Sequence, residues 1–327
     1  MLEQEIEQII RRFSHQRLLV LGDLMLDQFI WGTAVRISPE APVPVVRIER
    51  ESVHLGGAGN VAHNVISLGG QAVCLGVIGE DEAGQRLVET LQHIGAQACG
   101  LIRDATRPTT VKTRIIAHHQ QVVRADRETR QPLHPSLTEQ LVTRYAERLP
   151  DVTGVIISDY DKGVVTPSLL AQILPLTEQA GKPVLVDPKL RNFRYYSPVT
   201  LLKPNLRETE AVTQMEITDD ASLRAAGQRI MRLVRCQYLL VTRGEAGMTL
   251  FSRDDQLTHI PAMAREVYDV TGAGDTTIAA LALALLSGAT PAQAALIANH
   301  AASVVIGKIG TATVSQHELL TTIHQTG

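Results

Sequence analysis

The feature that most constrains this chain is the alternation of short, β-branched apolar runs with longer helix-length stretches. The runs lie at 18–21, 72–77, 155–157, 183–186, 200–202 and 238–241. Helical segments are predicted at 58–68, 83–94, 136–148, 167–179, 206–214, 220–235 and 274–287. Strands that are apolar at nearly every residue have no wet face, so helices must cover them on both sides. The pattern predicts an α/β fold with a doubly wound, mostly parallel sheet. Ligands of such sheets bind at the carboxyl ends of the strands.

Two segments break the rhythm, 29–54 and 109–128. Both alternate polar and apolar residues, and Pro39, Pro42 and Pro44 forbid a helix interior and suggest an edge strand. They read as a small antiparallel β lid inserted into an α/β domain of residues 1–28, 55–108 and 129–327. Such a lid could cover a site or pair with a second copy as a homodimer, with the apolar edge at 42–48 as the contact. It is rich in cations: Arg36, Arg47, Arg50, Lys112, Arg114, Arg124 and Arg127. Either they form a solvated face, partly neutralised by Glu40, Glu49, Glu51, Asp126 and Glu128, or some contact an anionic substrate.

Composition removes several classes. Lys and Arg total 31 against 34 Asp and Glu, a net charge of −3, where nucleic-acid binders carry a basic excess. Aromatics make only 3% of a chain that is 44% hydrophobic, which leaves few rings for stacking bases. Cys74, Cys99 and Cys236 are scattered without a CxxC, which speaks against a disulfide framework and fits a reducing cytoplasm. The N-terminus is amphipathic and acidic, unlike a signal peptide. The longest apolar run, 278–286, is too short to span a membrane.

The strongest motif is Asp269-Val-Thr-Gly-Ala-Gly-Asp275 ahead of an Ala/Leu-rich helix. Gly272, Ala273 and Gly274 let backbone approach a ligand, and the helix start aims N–H groups and its positive dipole end at the same place. That makes an anion hole suited to a phosphoryl group. Asp275 beside it is either an N-cap or a general base. No GxxxxGK[ST] P-loop occurs. Residues 57–62 match GxGxxA, so an NAD-dependent oxidoreductase must be weighed; polar residues 49–54, however, separate those glycines from the preceding apolar run, and no acidic residue ends a second strand about 20 residues on. The alternative is a turn against a polyhydroxylated ligand, with Gly56, Gly57 and Asn60 in contact. Asp23, at the end of the first strand, and Asp27 are candidate acceptors for sugar hydroxyls. Polar loops at 158–163, 187–189, 203–208 and 242–247 would line the same rim, and Asn205 and Glu208 share a helix face suited to Mg²⁺ held through water.

With these residues in place, the chain resembles the ribokinase-like (PfkB-type) carbohydrate kinases. The resemblance rests on GGAGN at 56–60, DVTGAGDT at 269–276, NxxE at 205–208 and TRGEAG at 242–247, and covers essentially the whole chain. RISPEAPVPVV (36–46), QQVVRADRE (120–128), SDYDKG (158–163), VDPK (186–189), KPNLRE (203–208) and EVYDVTGAGDT (266–276) are similar to the branch that phosphorylates a bacterial heptose 7-phosphate. Some relatives add a nucleotidyltransferase domain with an HxGH-type motif; none occurs here, so the single-function form is expected. The resemblance implies ATP and Mg²⁺, with K⁺ as a candidate, a sugar phosphate as partner, and no nucleic acid or membrane. It implies Asp275 as general base, 272–275 as anion hole, and Asp23, Gly56, Gly57 and Asn60 as sugar contacts, beside Asp27 from the reading of the residues. Asn205 and Glu208 become the Mg²⁺–phosphate element, and Thr242, Gly244, Gly247 and Asn299 fall where the family holds ATP. Asp269 and Thr271 match a monovalent-cation site of some relatives. Lys162, Lys189, Arg114 and Arg124 are assigned to the substrate's phosphate. With no ring in 242–247 or 299–306 apart from His300, adenine is expected in an aliphatic slot.

Overall fold

The computed structural model describes residues 2–118, 120–263, 268–308 and 310–326. His119 of the lid segment, and Glu266 and Val267 at the start of the last motif, therefore lie outside the described residues. The chain opens with α1 (Leu2–Arg11), β1 (Arg17–Gly22), β2 (Leu24–Ile37), β3 (Pro44–Gly57) and α2 (Ala58–Ser67). Next come β4 (Gln71–Gly79), α3 (Glu82–His93), β5 (Gln97–Asp104), β6 (Thr110–Ala117), β7 (Gln120–Arg127) and α4 (Pro135–Arg148). The middle holds β8 (Gly154–Ser158), α5 (Pro167–Gln179), β9 (Val184–Asp187), β10 (Leu201–Leu202), α6 (Leu206–Thr213) and α7 (Asp220–Val234). The chain closes with β11 (Tyr238–Thr242), β12 (Met248–Ser252), β13 (Leu257–Ile260), α8 (Ala273–Leu286), α9 (Pro291–Ile306) and α10 (Gln316–Thr326).

Among the described residues the main sheet has nine strands, ordered β13-β12-β11-β10-β9-β8-β1-β4-β5. Strands β11 through β5 in that order run parallel; β12 alone is reversed, so the β11–β12 and β12–β13 pairs are antiparallel. The carboxyl ends of β1, β8, β9, β10 and β11 therefore stand side by side, and the polar loops form one rim, as the pattern predicts. Alternation along each strand divides the core in two. Leu18 and Val20 face α1, α2, α8, α9 and α10, while Leu19 and Leu21 face α4, α5 and α7. Helix α8 is buried at every residue from Asp275 to Ala284, and its alanines share a core with Ala294, Ala295, Ala298 and Ala301 of α9. A helix apolar all round belongs inside. Among the described residues, none of these helices is long and apolar enough to cross a membrane.

The smaller sheet is ordered β3-β2-β6-β7. It is mixed rather than wholly antiparallel: β2–β3 and β6–β7 are antiparallel, but β2–β6 is parallel. The reason is connectivity. After β3 the chain returns to the main sheet for β4, α3 and β5, and such a long crossover permits a parallel pair. β2 follows β1 after a single residue, Asp23, so the small sheet grows directly out of the rim. On it, Trp31 stacks on Phe29 with ring centroids 5.5 Å apart, and the Arg50 guanidinium lies 3.9 Å over the indole.

Packing between α7 and the sheet leaves no room at Gly227, where an added Cβ would lie 2.4 Å from the Phe251 ring. Gly227→Ala should therefore destabilise the protein by about 1–3 kcal/mol, although alanine is the better helix former. Denaturant unfolding measures this, and a variant as stable as the parent would contradict the packing.

Candidate active site

Asp275 sits in the first turn of α8, and the structure removes its N-cap alternative. Gly272 holds the cap position with φ 83°, and the helix start receives no side-chain cap. The Asp275 side chain turns inward, 3% exposed. Its Oδ2 accepts from Asn60 Nδ2 at 2.8 Å and its Oδ1 from the Tyr160 hydroxyl at 2.7 Å. Burial pushes its carboxyl up to about 7, against the lowering by those two hydrogen bonds. Asn60 is held by Asn64, whose Nδ2 donates to the Asn60 carbonyl at 2.9 Å; Thr276 Oγ1 donates to Asn64 Oδ1 at 2.8 Å. A Cβ on Gly272 would come within 2.9 Å of Asn60 Nδ2, so only glycine lets the turn close here. Within the expected anion hole, the Ala273 N–H is already directed to the Val270 carbonyl at 3.3 Å. The donors aimed outward are then those of Gly274 and Asp275.

Asp23, expected as a sugar contact, holds backbone in this structure. Its Oδ2 accepts the N–H groups of Tyr160 at 2.8 Å and Lys162 at 3.1 Å, and its Oδ1 that of Val164 at 3.1 Å. It is 1% exposed, and burial with the neighbouring Asp159 charge lifts its carboxyl to about 6 despite the three amides. Gly56 and Gly57 also approach protein rather than open space. Added Cβ atoms would meet Asp27 Oδ2 at 2.4 Å and the Asp23 carbonyl at 2.3 Å.

The cations assigned to a phosphate each carry a carboxylate. Asp27 pairs with Arg114, Lys162 with Glu128 at 2.6 Å, Lys189 with Glu208 at 2.5 Å and Arg124 with Asp126 at 3.0 Å. Lys203 pairs with Asp187 at 3.1 Å beneath Gly274, whose added Cβ would meet both side chains. Burial raises the Asp187 carboxyl, while Lys203 counters it. Arg124 is half exposed on the lid and joins none of these rim contacts. Lys112, on β6 beside Arg114, has no carboxylate at ion-pair distance among the described residues. Its Nζ lies 5.6 Å from the Tyr160 ring, with Lys189 Nζ at 5.6 Å as well. Tyr160, Lys203 and Asp187 were not singled out in the sequence. Their signal was position, because each stands at the carboxyl end of a parallel strand.

A second group lies beside the first, joined to it by a parallel bridge between Asn205 and Thr242. Gly244 has φ 59° and open space around it; Gly247, φ 77°, packs against Ile260–Ala262 backbone. Asn299 Nδ2 donates to the Pro261 carbonyl at 2.8 Å. His300 is buried, and Tyr268 adds a ring the motif count did not place here: it is 65% exposed and its N–H donates to the Ile306 carbonyl at 2.9 Å.

The donors fit a magnesium ion held chiefly by phosphate oxygens and water. Glu208 Oε1 faces Lys189, Oε2 accepts the Asn205 N–H at 3.0 Å, and no cluster of three acidic, His or Cys side chains occurs among the described residues. Asp269 also fits a monovalent cation. Burial raises its carboxyl, but hydrogen bonds from Thr271 and Gly310 outweigh that and keep it below the usual range, and the nearby Thr311 hydroxyl is buried without a partner.

A parallel rim with a buried, raised carboxylate beside a glycine-capped helix start is an arrangement suited to moving a phosphoryl group. A model of the pfkB family carbohydrate kinases matches residues 15–318, and the chain belongs to that family of ATP-dependent sugar kinases. It is 46% identical over 311 residues to the Bifunctional protein HldE of Geobacter metallireducens, covering 94% of this chain and 64% of that one. The Caulobacter sp. (strain K31) protein of the same name is 46% identical over 324 residues, 99% of this chain and 66% of its own. The chain thus spans less than two thirds of the curated relatives it matches. Among solved structures, Arabidopsis thaliana ribokinase complexed with ribose and ATP superposes with TM-score 0.76 at 19% identity, over 94% of this chain and 98% of that one. Escherichia coli phosphofructokinase-2 with substrates and products gives 0.78 at 19%, over 95% and 98%. At that identity these two speak for the fold alone.

The Asp275 carboxyl should titrate near pH 7 in the ligand-free protein, well above an ordinary aspartate. Carboxyl ¹³C NMR against an Asp275→Asn reference reads this directly, and a midpoint near 4 would mean water reaches the site.

Proposed function

We propose that the chain transfers a phosphoryl group from ATP to the anomeric hydroxyl of D-glycero-β-D-manno-heptose 7-phosphate. The product would be the 1,7-bisphosphate, a step of ADP-heptose and lipopolysaccharide core synthesis. The observation that carries this reading is the convergence on one rim of a raised Asp275 carboxylate with Lys112, Lys162, Lys189 and Lys203. A base and several cations suit an acceptor that brings a phosphate of its own. The motif resemblance at 36–46 and 120–128 narrows the sugar.

In this reading Asp275 takes the hydroxyl proton as the oxygen attacks the γ-phosphorus in line. Gly274 and Asp275 N–H groups, with Lys203, hold the charge on the equatorial oxygens. Magnesium, held through Glu208 and water, would neutralise phosphate charge; K⁺ at Asp269 would brace the turn. Thr242, Gly244, Gly247 and Asn299 frame the nucleotide. Lys112 joins Lys162, Lys189 and Arg114 as a candidate for the sugar's phosphate. The small sheet, residues 29–54 and 109–128 at its centre, closes over the site and excludes water.

ATP turnover across a panel of sugars, sugar phosphates and nucleosides tests the substrate. Heptose 7-phosphate should exceed the unphosphorylated heptose in kcat/KM by at least about a hundredfold, because remote binding energy is lost without the phosphate. Preference for another sugar or a nucleoside would redirect the reading. Asp275→Asn should lower kcat at least about a hundredfold with little change in ATP affinity; a near-parental kcat would remove Asp275 as the base. The small sheet exposes Val35, Ile37, Val43, Ile48, Val122 and Val123, with Ile37 at 64%, which supports a homodimer through it. Sedimentation should give a dimer, and a monomer at working concentration would reject that interface.

A further inference from the structure

Tyr160 belongs to none of the roles above, yet four parts of the site meet on it. Its N–H is fixed by Asp23, its hydroxyl donates to Asp275 Oδ1 at 2.7 Å, and Lys112 and Lys189 flank its ring. Burial and the Asp275 carboxylate hold the phenol far above its ordinary range, so it stays a donor. Asn60 already occupies Asp275 Oδ2. The phenol hydroxyl thus takes the place on Asp275 that an acceptor hydroxyl needs, at the same distance and in the same donor role.

We propose that Tyr160 is a positioning residue that fills the acceptor place against Asp275 until the sugar hydroxyl displaces it, and so keeps water from taking the phosphoryl group. The inference rests on Asp275 as the base. Without the phenol oxygen, a space the size of a water molecule opens beside Oδ1, and water there has a carboxylate partner. That water would attack as the sugar does. Its oxygen bonds to the γ-phosphorus, the bond from phosphorus to the ADP oxygen breaks, and its proton passes to Asp275, giving ADP and inorganic phosphate. The sugar hydroxyl, held by its own phosphate and hydroxyl contacts, can displace the phenol, whereas water lacks that binding energy.

Tyr160→Phe keeps the ring between the two lysines and removes only the hydroxyl. With ATP and Mg²⁺ alone, its hydrolysis should rise at least about tenfold over the parent, while kcat with saturating heptose 7-phosphate stays within about threefold. The double variant Tyr160→Phe/Asp275→Asn should return hydrolysis to the parental rate. The groups facing Asp275 are Asn60 from α2, Tyr160 after β8, Asp187 at the end of β9 and Lys203 after β10. Loss of one hydrogen bond to the carboxylate should move the acid limb of kcat/KM to higher pH, which a packing defect alone would not do. Hydrolysis unchanged, or falling in step with the sugar reaction, overturns the proposal. With Asp275→Asn inactive, that result leaves the base reading standing; an active Asp275→Asn overturns both.

Discussion

The buried carboxylate of Asp23 is the constraint on which the site depends. It ends β1, begins β2 and gathers the N–H groups of Tyr160, Lys162 and Val164. Three amides alone would hold an aspartate well below 4, yet burial and Asp159 win and leave it near 6. The folding chain accepts this unfavourable ionisation because the alternative is three unpaired buried N–H groups, each costing about 1–3 kcal/mol. Everything on the rim follows. The fixed loop aims Tyr160 at Asp275, and the same strand junction launches the small sheet with Asp27 and Arg114.

The charge arrangement has its own logic. Cations brought close together repel one another, and on this rim carboxylates separate them: Glu128, Glu208, Asp187 and Asp27. In the proposed reaction, a sugar's phosphate would compete with these partners rather than meet bare ammonium groups. Affinity is moderated by that exchange, and the protein avoids the cost of buried unpaired charge.

Much of this was legible in the chain. The apolar runs predicted six parallel strands and the helices between them nearly to the residue, because a strand buried on both faces leaves an unbroken apolar signature. Helix α9 escaped because PAQAALIANHAASVVI is apolar all round and shows no polar stripe. β12 and the edge strand β13 are short and carry little pattern. The parallel β2–β6 pair was hidden because a residue alternation does not state strand direction. In the site, glycines and Asp275 were visible as motif. The three backbone N–H groups that Asp23 gathers were not, since a sequence does not say which chain groups a buried carboxylate will meet. Tyr160 was one letter within a polar loop until the fold turned it inward.

The chain has one tryptophan, and it stands on the small sheet rather than in either core. Trp31 is stacked on Phe29 and capped by Arg50, and Phe29 in turn lies near Gly310, beside the turn that leads to Asp275. The emission of a single indole in that stack reports one place only. The protein thus carries a built-in optical label on its small sheet, with no second indole to compete with it.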